Sequence, residues 1–340
     1  MIPHPAPACQ TSDWRKALSQ AIRDPAELLD RLALPRELLP AAQRAAAHFP
    51  LRVPRGYVAR METGNPTDPL LRQVLPLGEE LLITDDYSHD PVGDQAAMPL
   101  PGLLHKYRGR VLLITTAACG VHCRYCFRRH FPYTEAKAAS NDWQAALDYI
   151  AKDNSIDEVI LSGGDPLSLS DDRLASLVAQ LEAIPHIKRL RLHTRLVIVL
   201  PERVNSTLLS WLADCRLPTV IVVHANHANE IDTEAAIALR RLASTDTLLL
   251  NQAVLLRGVN DEIAALVALS ERLFENRVLP YYLHQLDRVQ GAQHFEVSDG
   301  RAVDLINQLR DRLPGFLVPR LVRERTGAAS KIPIESYTGL

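Results

Sequence analysis

Cysteine is scarce in this 340-residue chain, and three of its five cysteines crowd into the stretch CGVHCRYC at 119–126. The other two, Cys9 and Cys215, have no evident partners, so a secreted disulfide framework is excluded. Charge of either sign is not in excess. The net value of −2 leaves no electrostatic footprint for nucleic acid and no basic patch for a membrane surface. No apolar run approaches the ~20 residues that span a bilayer. The start, Met-Ile-Pro-His-Pro-Ala-Pro, lacks a charged region followed by an apolar one, so no secretory signal is read and the cytoplasm is the expected location. With 47% hydrophobic and 23% charged residues, the chain reads as an ordinary soluble protein large enough for one big core or a core plus a helical lobe.

What is present starts from an absence as well: no fourth cysteine lies near Cys119, Cys123 and Cys126. A structural zinc site closes with four protein ligands, and an electron-transfer [4Fe–4S] cluster has four cysteines. Three thiols can hold a four-iron cluster with one iron left free of protein, and an open position on a metal is where substrate chemistry happens. Two other readings stand beside it. His122 or His130 could complete a Cys3His zinc knot, or the thiols could form a redox trio.

The chain falls into three expected parts: a helical and irregular wrap over 1–100, a barrel over 101–315, and a strand and tail over 316–340. In the first part, helices are expected from Ser12 or Asp13, where Trp14, Leu18 and Ile22 repeat at four-residue steps, and over 25–32 and 36–49. Residues 50–101, rich in proline, glycine and charge, read as an irregular cover. From Arg110 onward, β-branched apolar runs at 111–116, 158–162, 189–194, 219–224, 248–254 and 279–284 alternate with helical patterns near 141–153, 171–184, 204–214, 232–243, 262–274 and 300–312. Leu174, Leu177, Val178 and Leu181 mark one apolar helix stripe, and Val204, Leu208, Trp211 and Leu212 another. This alternation predicts an α/β fold, a partial (β/α)6 TIM-like barrel of parallel strands. A seventh run, 316–322, precedes the tail.

In barrels of this kind chemistry sits at the C-terminal strand ends. The first run leads to the cysteines, the second to Ser162-Gly163-Gly164-Asp165, the third to Arg195 and the fourth to His224; the fifth carries Gln252, and the sixth leads to Asp287. Each has a plainer reading. The glycines could be turn punctuation, Arg128 and Arg129 a solvated pair, His224 and Gln252 satisfied rim groups, and Lys331 a tail lysine. The functional readings are that paired glycines let backbone approach a ligand and that Arg128, two residues past a cluster cysteine, is suited to grip a carboxylate.

The three-plus-two cysteine spacing, with Tyr125 as its aromatic, resembles the CxxxCxΦC signature of the radical S-adenosylmethionine (SAM) superfamily. Beyond it, stretches 103–114, 126–133, 199–203, 224–231 and 280–287 resemble the lysine 2,3-aminomutase family over about 49–331, in particular its short branch that acts on elongation factor P. The resemblance implies a [4Fe–4S] cluster, SAM and pyridoxal 5′-phosphate (PLP) in a radical SAM barrel. It places Lys331 at the Schiff-base lysine, and Tyr107, Arg110 and Gln252 at PLP. Arg128 falls at the substrate α-carboxylate, and Asp287 and Glu324 at the ε-ammonium. Ser162, Gly163, Gly164 and Asp165 match the segment that contacts the SAM amino group, and Tyr125, Arg195 and His224 join the cofactor-binding set. The implied chemistry is hydrogen abstraction by a 5′-deoxyadenosyl radical and transfer of nitrogen from C2 to C3 of L-lysine, giving (R)-β-lysine. Implied partners are elongation factor P, its lysyl-transferring enzyme, and a reduced flavodoxin or ferredoxin.

Three departures from the family pattern stand out. The run before the lysine is Gly327-Ala328-Ala329-Ser330 rather than glycine-rich, the second acid is Glu324 rather than aspartate, and the chain stops at Leu340, so the zinc-binding extension of free-lysine enzymes is not expected. A free-lysine aminomutase of catabolism or osmolyte synthesis is the second enzyme reading. A metal-stabilised binding module without catalysis is the reading from another class.

Overall fold

The computed structural model describes residues 13–136 and 143–335. Cys9, the alternative helix start at Ser12, and Asn141 at the expected start of the first barrel helix lie outside the described residues. One sheet carries the fold. Its nine strands follow chain order: β1 (Leu103–Tyr107), β2 (Arg110–Thr116), β3 (Glu158–Gly163), β4 (Arg189–Thr194), β5 (Thr219–Val223), β6 (Leu248–Val254), β7 (Leu279–His284), β8 (Arg320–Arg323) and β9 (Ile332–Pro333). β2 through β8 pair in parallel, while β1 and β9 pair antiparallel at the two edges. Helices Gln144–Lys152, Asp171–Glu182, Ser206–Asp214, Thr233–Ala243, Ile263–Glu275 and Asp299–Arg310 fill the crossovers. The six expected β/α units are therefore present, and the seventh run joins the sheet as β8, making a partial barrel.

Side-chain direction alternates along a strand, and that period decides what the barrel encloses. On β4, Leu190 and Leu192 are buried in the core shared with the helices, while Arg191 and His193 line an internal cavity. The same step of two places Arg110 and Leu112 of β2, Gln252 and Val254 of β6, Tyr282 and His284 of β7, and Arg320 and Val322 of β8 on the cavity wall. The lumen is thus a chamber of about 870 Å³ lined by polar and apolar side chains together.

The N-terminal wrap closes one side of it. Asp13 and Asp24 cap helices Trp14–Ser19 and Pro25–Arg31 by accepting from backbone N–H groups. The irregular stretch that follows holds three short helical turns, Arg55–Val58, Pro69–Arg72 and Gly78–Leu81. One hydrophobic core runs from Trp14 to Leu321, so the wrap packs on the barrel through shared apolar contacts. Its contribution to the site is polar: it delivers Tyr57, Gln73, Glu80 and Asp94. Among the described residues no helix is long and apolar enough to cross a membrane.

Candidate active site

Lys331, Arg128, Asp287, Glu324, Tyr107, Arg110, Gln252, Tyr125, Ser162, Gly163, Gly164, Asp165, Arg195, His224 and the three clustered cysteines all line the one chamber. The cysteine loop follows β2 and leans on the loop after β3. There the backbone N–H groups of Gly164 and Asp165 donate to the carbonyls of Thr116 and Ala118, both at 2.7 Å. A Cβ on Gly164 would sit 2.3 Å from the Ala118 oxygen, and Gly163 takes φ +117°. The close approach that requires these glycines is therefore to the cysteine-bearing loop, where the sequence suggested approach to a ligand.

Behind the thiols, Glu80 locks the loop. Its carboxylate accepts from Arg124 Nε at 2.8 Å and Nη2 at 2.6 Å, and from Arg129 Nη2 at 2.7 Å. Both guanidinium groups lie 4.7 Å from the Phe49 ring centroid. Arg129, read from sequence as half of a solvated pair, is thus part of this clamp. Breaking a buried ion pair leaves an uncompensated charge and costs ~3–5 kcal/mol. Glu80→Ala is expected to lower the free energy of unfolding by that amount, read from denaturant melts, and to reduce iron bound per chain. Wild-type iron content in that variant would show that the clamp does not support the loop.

The donor set suits a cluster better than a closed zinc knot. Burial pushes the Cys119, Cys123 and Cys126 thiols up, Cys126 to about 11, with neighbouring sulfur adding to it at Cys119 and Cys126 and Glu230 and Asp165 at Cys123. Coordinated iron reverses that tendency, because a metal-bound thiol is deprotonated outright. His122 and His130 are engaged elsewhere: one ring nitrogen of each meets a backbone carbonyl, of Pro50 at 2.8 Å and of Gln290 at 3.1 Å. Among the described residues no trio of His, Cys, Asp or Glu closes on a single metal ion.

Next to the thiols a buried polar network runs from the wrap into the barrel. Arg195 Nη2 donates to Gln73 and Glu230, both at 2.8 Å, and to the Tyr57 hydroxyl at 3.2 Å. Its Nε and Nη1 are buried with no protein partner. Burial alone would lower Arg195, but the Cys123 sulfur and Glu230 outweigh it and hold the guanidinium charged. Tyr125 accepts from Asn226 at 2.7 Å and lies under that guanidinium. Asp165 differs from expectation. Its carboxylate accepts from Thr194 and from the backbone N–H groups of Leu167, Arg195 and Leu196, so it positions the turn bearing Arg195 and offers no free oxygen to a ligand. His224 is pushed down by burial and by Arg195, to about 3, and its Nε2 is unpartnered. His193 and His284, which the sequence reading missed, present unpartnered buried Nε2 atoms to the same chamber.

At the other end sit the ionic groups. The β8–β9 register pairs Val322 with Pro333 and Arg323 with Ile332, so the next pair across the turn is Glu324 with Lys331. That hairpin turns an apparent tail lysine inward, with Lys331 Nζ 2.8 Å from Glu324 Oε2. Burial alone would raise Glu324, but Lys331 and Lys106 carry it down to about 2. Arg128 donates from Nε to Asp94 at 2.7 Å and from Nη1 to Ser162 at 3.4 Å. Among the described residues its Nη2 has no acceptor, leaving an open N–H edge toward the chamber, and Asp287 has no donor. Burial first, then Glu324, pushes Asp287 up to about 7. Arg110 lies over the Tyr107 ring at 4.6 Å. Burial and Glu324 push the Tyr107 phenol up, so it stays protonated as a donor. Gln252 faces the chamber with an unengaged amide. Asp94 and Lys106 were not singled out from sequence, since one sits in the irregular wrap and the other on the short, partly polar β1.

Comparisons with known proteins place the chain in a family. Residues 108–194 match a family model described as a 4Fe-4S single cluster domain. Over 95% of its length the chain is 49% identical to the L-lysine 2,3-aminomutase of Escherichia coli K12 and 47% identical to that of Haemophilus influenzae, covering 94% and 95% of those proteins. Against the L-lysine 2,3-aminomutase of Clostridium subterminale it is 33% identical, covering 78% of that protein.

Proposed function

The chain belongs to the L-lysine 2,3-aminomutase family, and we propose that it converts L-lysine to (R)-β-lysine for the modification of elongation factor P. The observation that carries the reading is one chamber holding three clustered thiols, an inward lysine, an arginine with an open edge and an acid with no partner. Those residues fit the family's [4Fe–4S] cluster, SAM and PLP: Cys119, Cys123 and Cys126 would hold the cluster; the orphaned Nε and Nη1 of Arg195, with His224 and the loop at Ser162, would face SAM; Lys331, Tyr107, Arg110 and Gln252 would hold PLP. When bound, the cluster and SAM supply the hydrogen-abstracting radical, and PLP supplies the electrophilic carbon that carries the migrating nitrogen.

The chain's own groups bind, orient and exclude. Arg128 offers Nη2 and the edge beside Ser162 to the substrate carboxylate, with Asp94 fixing the guanidinium plane. Burial alone would lower Arg128, but Asp94 outweighs it and keeps it charged. Asp287 meets the ε-ammonium, as does Glu324 through Oε2 once Lys331 has turned to PLP. Two acids at that end select an amine over a neutral side chain, since a buried charge without a partner costs several kcal/mol. His224, held neutral, can share a hydrogen bond without adding charge. Together these contacts hold the β-carbon of the substrate in one place, which is the protein's share of a radical reaction.

Anaerobic reconstitution with iron, sulfide, SAM, PLP and reductant should turn lysine into its β-isomer. A colourless, zinc-only protein with no β-lysine would instead favour the binding module. The elongation factor P destination is supported by the motif resemblance to the short branch. Adding elongation factor P, its lysyl-transferring enzyme and reduced flavodoxin or ferredoxin should raise turnover. Efficient conversion of free lysine that such a partner leaves unchanged would favour the catabolic reading.

A further inference from the structure

Lys106 is the middle of a row of ionic groups. Three oxygens converge on its Nζ: Asp94 Oδ1 at 2.5 Å, Glu324 Oε1 at 2.9 Å and the Val92 carbonyl at 2.9 Å. The Val92 carbonyl and Glu324 Oε1 accept hydrogen bonds from it, and Asp94 Oδ1 lies against it as an ion pair without a hydrogen bond, so the ammonium is held from three directions. The outer oxygens of both acids are engaged as well. Asp94 Oδ2 accepts from Arg128 Nε at 2.7 Å, and Glu324 Oε2 accepts from Lys331 Nζ at 2.8 Å. The result is an alternating sequence, Arg128–Asp94–Lys106–Glu324–Lys331, with its members drawn from the wrap, β1, the cysteine loop and the β8–β9 hairpin.

Backbone geometry supports the same row. Asp94 is held in a turn in which Asp90 accepts from the Asp94 and Gln95 backbone N–H groups at 2.8 and 3.0 Å. Gly93 takes φ +68°, and a Cβ there would meet Thr326 at 2.7 Å, so this turn packs directly on the hairpin that carries Glu324 and Lys331. Lys106 is also mostly shielded from solvent, with 16% of its side chain exposed. Pairs in such a setting keep their geometry better than exposed ones.

We propose that Lys106 is a positioning residue that sets the separation between the carboxylate grip at Arg128 and the ammonium grip at Glu324, and through it the length of diamino acid the chamber accepts. This rests on the assignment of those two groups to the two ends of the substrate. Arg128 is tied to Lys106 through one acid, and Glu324 is tied to it directly through Oε1. The oxygen left for the substrate, Oε2, is freed without disturbing that tie. Removing the ammonium leaves Asp94 and Glu324 with one fewer cation and no common anchor, so each end of the grip can drift. A shorter diamino acid then loses less relative to lysine.

The test compares wild type, Lys106→Met and Lys106→Arg, each loaded with PLP. Lysine and ornithine binding are read by absorbance titration of the bound PLP without SAM or reductant, and turnover is measured separately. Lys106→Met should keep its PLP, bind lysine about tenfold more weakly and narrow the lysine-to-ornithine preference at least about fivefold, within what one methylene is worth in a fitted pocket. In turnover the loss should fall on KM more than on kcat. Lys106→Arg keeps the charge but changes its reach, so it should recover affinity while leaving the preference altered. Equal weakening of lysine and ornithine in Lys106→Met, or its loss of PLP, overturns the proposal. If Lys106→Met does not fold, an unchanged preference in Lys106→Arg overturns it. A wild type that neither binds nor converts lysine would sink the assignment of Arg128 and Glu324 instead.

Discussion

Replacing Lys331 by alanine should give a protein that still carries iron and sulfide and still cleaves SAM under reduction, yet retains no PLP and makes no β-lysine. The expected loss of isomerisation is several orders of magnitude, ~10⁴-fold or more, as when a residue that bonds covalently in the reaction is removed. The structural cost is small by comparison. Glu324 Oε2 loses its partner at 2.8 Å, but Oε1 keeps Lys106 at 2.9 Å, so stability should fall by less than the ~3–5 kcal/mol of a buried carboxylate left with no partner at all. Iron content, SAM cleavage and the absorbance of bound PLP separate the outcomes. Isomerase activity in this variant, or PLP retained at wild-type stoichiometry, would remove Lys331 from its assigned role.

Lys331 also marks how far the sequence could be read. The barrel was legible because β-branched runs alternate with amphipathic helices, and because Leu174, Leu177, Val178 and Leu181 form a stripe that is buried in the structure. The cysteine cluster was legible from spacing alone. Lys331 had no local signal; its direction comes from the β8–β9 register, a pairing between a strand of four residues and one of two that no periodicity announces. Asp94 and Lys106 had none for the same reason, since Lys106 meets Glu324 across more than two hundred residues of chain and Asp94 meets Arg128 from the irregular wrap. The strands held more than was read from them. In Arg189–Thr194, Arg191 and His193 stand two apart, as do Tyr282 and His284 in Leu279–His284, and that is the pattern of a wall facing a wet chamber. Taking these runs as apolar on both faces hid His193 and His284. The glycine pair after β3 showed the converse limit: its need for glycine was visible, but its neighbour was the cysteine loop.

Asp287→Asn should separate activity from stability. With no protein donor and with burial and Glu324 both disfavouring charge, Asp287 is pushed up to about 7 in the folded chain, against ~3.9 for a free aspartate. A carboxyl raised in this way contributes stability below its unfolded value and loses it as pH rises through about 7. At pH 8 the folded protein therefore holds an ionised group in a site that disfavours it, and asparagine removes that penalty. The variant should be more stable than wild type at pH 8, on the order of 2–3 kcal/mol after allowing for partial exposure. The gap should narrow as pH falls toward 5. Lysine turnover should move the other way, because the ε-ammonium loses the acid that awaits it: ~3–5 kcal/mol, or about 10²–10⁴-fold in kcat/KM. In wild type, kcat/KM should rise with pH through about 7 as Asp287 ionises to receive the ammonium, and that rise should be absent in the variant. Thermal melts at two pH values and a pH profile of kcat/KM read both effects. A variant less stable at pH 8, or one that keeps wild-type kcat/KM, would mean that Asp287 serves the fold and not the substrate.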